Sequence, residues 1–310
     1  MKIELLAPPS CCTAPEKVAS STNAEVPIAK SPTFGSTRGM VRLAGGAFLM
    51  GSDNPQSRPG DGEGPVREVI VEPFFIGICA VSNTEFEEFV EATNYVTEAE
   101  KFGWSYVFTK HATSKARENS RGEADGANWW LGVEGACWKR PEGPGSNLKK
   151  RADHPVVHVS WHDAMAFCAW SGKSLPTEAQ WEFAARGGLE QKLYPWGDEL
   201  TPKSKNGKPE HRCNIWQGKF PDLDTAADGF SGTAPVKTYA PNGFGLYQTS
   251  GNVWEWCADW FDAGQTRRST RGGSFLCHAS YCNRYRVAAR NGNTPDSTTS
   301  HTGFRCVLNP

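Results

Sequence analysis

The chain has 310 residues, 38% of them hydrophobic, and its charged side chains nearly cancel to a formal net charge of −1. That length supports one sizeable core, and that charge balance leaves no electrostatic footprint for nucleic acid or an anionic membrane. Mean hydropathy is −0.53, and no apolar run reaches the ~20 residues of a membrane-spanning helix.

Residues 1–36 are rich in Ser, Pro, Ala and Thr without periodicity and read as a disordered tail. Glu4 interrupts the apolar start and Pro8-Pro9 follow, so no secretion signal is expected and the cytoplasm is the default location. The folded unit, residues 37–310, reads as one domain. Val41 to Met50 reads as a strand, a Gly-Gly turn and another strand. Ser82-Asn83-Thr84-Glu85 is a capping box before Phe86, Phe89 and Val90 on one helical face. Polar stretches at His111–Gly126 and Thr201–Glu210 read as surface loops. Ser160 caps a second helix that Gly172 stops, and Thr177-Glu178-Ala179-Gln180 caps a third that ends at Gly187-Gly188. The final third reads as short strands and turns. The 32 glycines and 21 prolines spread along the chain imply much irregular backbone, packed by the 12 tryptophans.

Ten cysteines show no framework spacing and no C-x-x-C pair, so each needs its own reading. Cys277 and Cys282 are the informative ones. Five residues apart, their side chains diverge on a strand or on a helix, so the sulfurs meet only if the backbone bends between them. Such a bend makes either a small disulfide loop or a soft-metal site, and two thiolates suit a monovalent copper ion. His154, His158 and His162 are four apart, which on a helix would form a metal-binding face. However, Pro155, Val156, Val157 and Val159 favour an extended segment there. Cys79, Cys137, Cys213 and Cys257 read as small buried hydrophobes.

Several runs together resemble one family. They are Gly272-Gly273-Ser274, Cys277-His278, Ser280-Tyr281-Cys282, Arg284-Tyr285-Arg286, Ala288-Ala289-Arg290, Asn293-Thr294-Pro295-Asp296 and Gly303-Phe304-Arg305-Cys306, with Thr97 to Gly103, Trp129-Trp130-Leu131, Arg140 to Pro144, His154 to Trp161 and Gly251 to Trp256 upstream. From Met40 to Cys306 the chain resembles formylglycine-generating enzymes, the sulfatase-modifying factor family. The resemblance implies a single α/β mixed domain of low regular secondary structure, related to the C-type lectin fold. It implies a copper-dependent oxidase that converts the cysteine of a Cys-x-Pro-x-Arg motif in an unfolded sulfatase to Cα-formylglycine. Cys277 and Cys282 would hold Cu(I), the substrate cysteine would join as a third sulfur, and dioxygen would be the co-substrate. The β-carbon of that cysteine would lose a hydrogen, and the resulting thioaldehyde would hydrolyse. Ser274 would orient oxygen or the substrate sulfur, and Ala99, Trp104 and Ser105 would face the substrate.

The resemblance also implies two structural Ca2+ sites. Asn214, Ile215, Asp228 and Phe230 match one, and Gln248, Gly251, Val253 and Glu255 match the other, where Gln248 replaces an asparagine. Cys168 and Cys306 match a structural disulfide, while the positions of a second correspond to Ala185 and Val287. That paired loss fits a less oxidising compartment. A monomer is expected, with no nucleic-acid or membrane partner. Two rivals stand: a non-catalytic binding relative, whose members lack the cysteine pair, and an iron-dependent sulfoxide synthase, whose members add a histidine-rich helical domain.

Overall fold

The computed structural model describes residues 30–58 and 60–310. In chain order the strands and helices are β1 Met40–Leu43, β2 Gly46–Met50, β3 Arg67–Val71, β4 Phe74–Gly77, α1 Asn83–Thr93, α2 Glu98–Phe102, β5 Trp104–Phe108, α3 Ser114–Glu118, β6 Ser120–Ala124 and β7 Ala127–Glu134. Then come α4 Trp161–Ser171, α5 Glu178–Arg186, β8 Gly218–Lys219, β9 Leu223–Asp224, β10 Trp254–Trp260, β11 Arg268–Arg271, β12 Arg290–Asn293, β13 Thr302–Gly303 and β14 Val307–Leu308. Most connections are irregular, as the glycine and proline content requires.

The three expected helices form where their caps stand. Ser82, Ser160 and Thr177 each accept the N3 amide while the N3 side chain reaches back to the cap amide. Gly172 and Gly187 end the second and third in the left-handed region. The strand, Gly-Gly turn and strand expected over Val41 to Met50 form as β1 and β2, which pair with β4 and β3 respectively. One reading changes. The stretch His111–Gly126 is not all loop, because Thr113 caps α3, which buries Ala116, and β6 pairs with β7. β6 is an edge strand exposed along most of its length, so its polar composition hid it.

The tail expected over 1–36 lies outside the described residues up to 29. Within the described part, the Ser31 and Gly35 amides donate to the carbonyls of Trp170 and Ser171 at the end of α4, so chain is already packed there.

The largest core joins α1, α4 and the C-terminal segment through Phe86, Phe89, Phe167, Trp138, Trp256 and Phe304. Trp130, Trp138, Trp181, Trp254 and Trp256 are fully buried, so the tryptophans do pack the irregular backbone. The four-stranded sheet β12-β11-β10-β13 carries the chain into the candidate site. No helix among the described residues is long and apolar enough to cross a membrane.

Candidate active site

β11 delivers the chain to the Gly272-Gly273 turn. Arg271, at its end, is buried and ion-paired with Glu178 and Glu182 of α5. Gly273 has φ +74, and a Cβ there would lie 2.9 Å from the Arg284 carbonyl oxygen and the Tyr285 Cα. Only glycine permits that approach, so the chain leaving β11 runs directly against the chain returning after Cys282. Between them the backbone bends as the spacing demanded. The His278 carbonyl accepts the amides of Tyr281, Cys282 and Asn283 at 3.1, 3.0 and 3.1 Å.

The bend brings both cysteines into one cluster. Cys277 and Cys282 are fully buried and pack with Cys213, Ile215, Trp254 and Tyr285. Neither is in a disulfide. The Ser274 amide donates to the Cys277 sulfur at 3.4 Å, and the Ser274 hydroxyl accepts the Leu276 amide at 3.2 Å. Toward the surface, Tyr281 is stacked on Phe220 at 5.1 Å and meets the edge of Trp129 at 4.9 Å. A cavity of about 100 Å³ beside the pair is lined by Cys213, Trp216, His278 and Tyr285, among others.

Two polar residues of this region were missed in the sequence. His301 is fully buried, its Nδ1 hydrogen-bonded to Thr299 Oγ1 at 2.7 Å and its ring edge-on to Trp130 at 4.7 Å. Its Nε2 is buried without a hydrogen-bond partner. Burial pushes its pKa down to about 3, against the field of Cys282, so the imidazole is neutral. Arg58 donates from Nε to the Cys282 carbonyl at 2.8 Å and from Nη2 to the Tyr281 carbonyl. Neither residue stands in a pattern that spacing could single out, because each reaches the site from a distant loop.

The three residues expected to face the substrate differ in exposure. Ala99 and Ser105 are buried. The Ser105 hydroxyl is engaged inside, donating to the Thr298 carbonyl at 2.9 Å and bonding His158 Nδ1 at 2.7 Å. Trp104 is half-buried, under the guanidinium of Arg121 at 5.0 Å. The histidines do not converge: His158 Nε2 bonds the Pro141 carbonyl at 2.8 Å and His154 Nδ1 bonds Thr233 at 2.9 Å. Among the described residues no three His, Cys, Asp or Glu side chains are placed to hold a metal.

Of the first expected calcium set, Asp228 hydrogen-bonds the backbone next to Asn214, while the Ile215 carbonyl accepts from Gln217 Nε2 at 3.1 Å. Asn214 pairs as an isolated bridge with Gly251, and its Oδ1 is buried without a partner. Asp228 accepts the Ile215 amide at 2.9 Å and the Phe230 amide at 3.2 Å, and burial pushes its carboxyl above the usual range. An unpartnered buried carbonyl beside a carboxylate suits a hard cation. In the second set Gln248 Oε1 is likewise buried without a partner, but Glu255 is ion-paired with Arg305, so a cation would have to share that carboxylate. The sulfurs of Cys168 and Cys306 lie 3.7 Å apart, and Ala185 and Val287 pack in one cluster with Trp181 and Cys257. Cys137, Cys213 and Cys257 are buried as expected, whereas Cys79 is only half-buried at the wall of a cavity of about 400 Å³.

Residues 26–310 match the family described as Sulfatase-modifying factor enzyme 1-like domain. The chain is 56% identical over 291 residues to a formylglycine-generating enzyme of Thermomonospora curvata, covering 88% of this chain and 94% of that protein. It is 51% identical to an inactive C-alpha-formylglycine-generating enzyme 2 of Bos taurus, covering 88% and 89%. The fold matches the structure of PvdO from Pseudomonas aeruginosa with a TM-score of 0.60 at 24% identity, over 86% of this chain and 93% of that one.

Proposed function

This chain belongs to the sulfatase-modifying factor family, and from that premise we propose that it is a catalytic member. It oxidises the cysteine of a sulfatase Cys-x-Pro-x-Arg segment to Cα-formylglycine with dioxygen. Overall identity does not choose between catalytic and inactive relatives, since the chain is similarly close to both kinds. The observation that carries the reading is the buried pair Cys277 and Cys282, brought into one cluster by the bend at His278.

The donor set fits Cu(I): two soft thiol ligands buried in a cluster walled by Trp254, Tyr194 and Tyr285. When bound, copper would supply a soft centre that keeps a third thiolate in place and activates dioxygen. The Ser274 amide, 3.4 Å from the Cys277 sulfur, favours its thiolate form. The Ser274 hydroxyl oxygen already accepts from Leu276, which leaves its proton to orient substrate sulfur or oxygen. Tyr281, Phe220 and Trp129 exclude water from the thiols, and the substrate enters past them. Calcium held by Asn214 and Asp228 would tie the loop ahead of β8 to the loop that follows β9. A reducing compartment, the cytoplasm, fits the alanine and valine that pack together at 185 and 287.

The test is to incubate Cu(I)-loaded protein with a Cys-x-Pro-x-Arg peptide under air and read aldehyde by mass spectrometry. Cys277→Ser and Cys282→Ser should each abolish conversion with circular dichroism unchanged. Near-wild-type turnover in either variant would remove the assignment.

A further inference from the structure

The loop between β2 and β3 lies along the segment that carries the second cysteine, in constant register. Arg58 reaches the carbonyls of Tyr281 and Cys282. Asp61 takes the guanidinium of Arg284 at 2.6 and 3.1 Å. Glu63 takes that of Arg286, with Oε1 to Nη2 at 2.7 Å. These contacts step together along both stretches, each joining residues 223 or 224 apart in sequence. The Gln56 side chain adds an acceptor for Asn283 at 3.1 Å. Side chains alone therefore zip the loop onto residues 281–286.

The two cysteines are anchored from different parts of the chain. Cys277 is fixed by its own turn and by the Trp216 amide, which donates to its carbonyl at 3.1 Å. The Cys282 amide is held by the His278 carbonyl, while its carbonyl is held by Arg58. Arg58 grips two successive carbonyls, Tyr281 and Cys282, so it restrains the two peptide planes that flank the Cys282 Cα and with them the direction of the Cys282 side chain. Asp61 and Glu63 hold the chain farther along, at Arg284 and Arg286.

We propose that Arg58 is a positioning residue for the thiol pair, setting where the Cys282 sulfur stands relative to Cys277 through its fork on the Tyr281 and Cys282 carbonyls. The catalytic use of that placement rests on the function proposed above, but the placement itself does not, and it can be read without copper. Equilibration with glutathione measures it. Glutathione disulfide breaks its S–S bond, takes two electrons and two protons from Cys277 and Cys282, and leaves one protein disulfide and two glutathione thiols. The equilibrium constant reports the effective concentration of one thiol at the other.

Arg58→Met should shift that constant about tenfold from wild type. The Cys168–Cys306 equilibrium in the same samples, mapped by peptide mass spectrometry, should stay at its wild-type value. Arg58→Lys can reach one carbonyl and should fall between. Cu(I) affinity, by chelator competition, should weaken in the same order. A methionine variant with a lower melting temperature but wild-type values for both thiol readouts would overturn the proposal and make Arg58 a mere tie for the loop, as would no change at all. If the wild type takes up no Cu(I) while the glutathione constant still shifts, the copper reading fails and the positioning role stands. Should the methionine variant not fold, Arg58→Gln, with its shorter reach, is read by the same outcomes.

Discussion

Arg305 sets its guanidinium fork on the carboxylate of Glu255, Nε to Oε2 at 2.6 Å and Nη2 to Oε1 at 2.7 Å, with both side chains sealed from solvent. Trp181 donates to the same Oε2 at 2.7 Å, so β10, α5 and the C-terminal segment meet on one carboxylate. Burying a charge pair is costly, but removing one partner is worse, because the other is left uncompensated. Glu255→Gln should therefore destabilise by about 3–5 kcal/mol, read by urea unfolding. A loss under about 1 kcal/mol would show that the pair is wet in solution.

Ser105 distinguishes a groove residue from a structural one. Its hydroxyl links Thr298 and His158 in a buried network. Ser105→Ala leaves an imidazole nitrogen and a carbonyl short of a partner, at about 1–3 kcal/mol. The expected result is a lower melting temperature with KM for a Cys-x-Pro-x-Arg peptide changed less than kcat. A large rise in KM at unchanged stability would return Ser105 to the substrate surface.

Asp163 supplies a pH dependence. It closes the α4 capping box, accepts the Glu98 amide at 3.0 Å, and takes a hydrogen bond from Tyr95 at 3.0 Å. Burial raises its pKa to about 6. A carboxyl raised above its unfolded value favours the folded state while protonated, so that contribution is present below pH ~4 and is lost as pH rises to about 6. Relative to Asp163→Asn, wild type should lose on the order of 3 kcal/mol across that window. Parallel stability curves for the two proteins would show that Asp163 titrates normally.

How much of this could be read from the sequence follows from the range of each interaction. The three capped helices were legible because a cap and its N3 partner lie within one turn. The bend between Cys277 and Cys282 was legible because a separation of five turns the two side chains apart on a strand and on a helix alike. The strand partners of β1 and β2 were not, since β4 and β3 are chosen by packing over Leu43, Val71, Phe74 and Ile76. The Arg58, Asp61 and Glu63 strap is non-local in the same way. Its only trace is an alternation of acids at 61 and 63 against arginines at 284 and 286, which gains meaning once the two stretches lie side by side. Asn214 and Asp228 came from the family resemblance, and what the structure adds is the unpartnered side-chain oxygen of Asn214.

That oxygen carries the last prediction. Asn214 Oδ1 is buried, while its amide nitrogen is fully used, donating to the Gly232 carbonyl at 2.8 Å and to Asn252 Oδ1 at 3.1 Å. The amide is thus locked with its oxygen aimed at a place where no protein donor waits, at a cost of roughly 1–3 kcal/mol unless a cation or water answers it. Asp228 sits beside Ile215, one residue on, with a carboxylate to neutralise. Calcium takes mixed carboxylate, amide and backbone oxygens in flexible geometry, whereas magnesium demands near-octahedral ligands and keeps its waters. Calcium at about a hundred times its Kd should raise stability by about 2.7 kcal/mol, seen as a higher melting temperature, and magnesium should not reproduce it. Asp228→Asn keeps the shape, removes the charge and should abolish the shift. A calcium shift that survives Asp228→Asn would move the ion to the set around Gln248, and no shift in the wild-type protein would leave Asn214 to bind water instead.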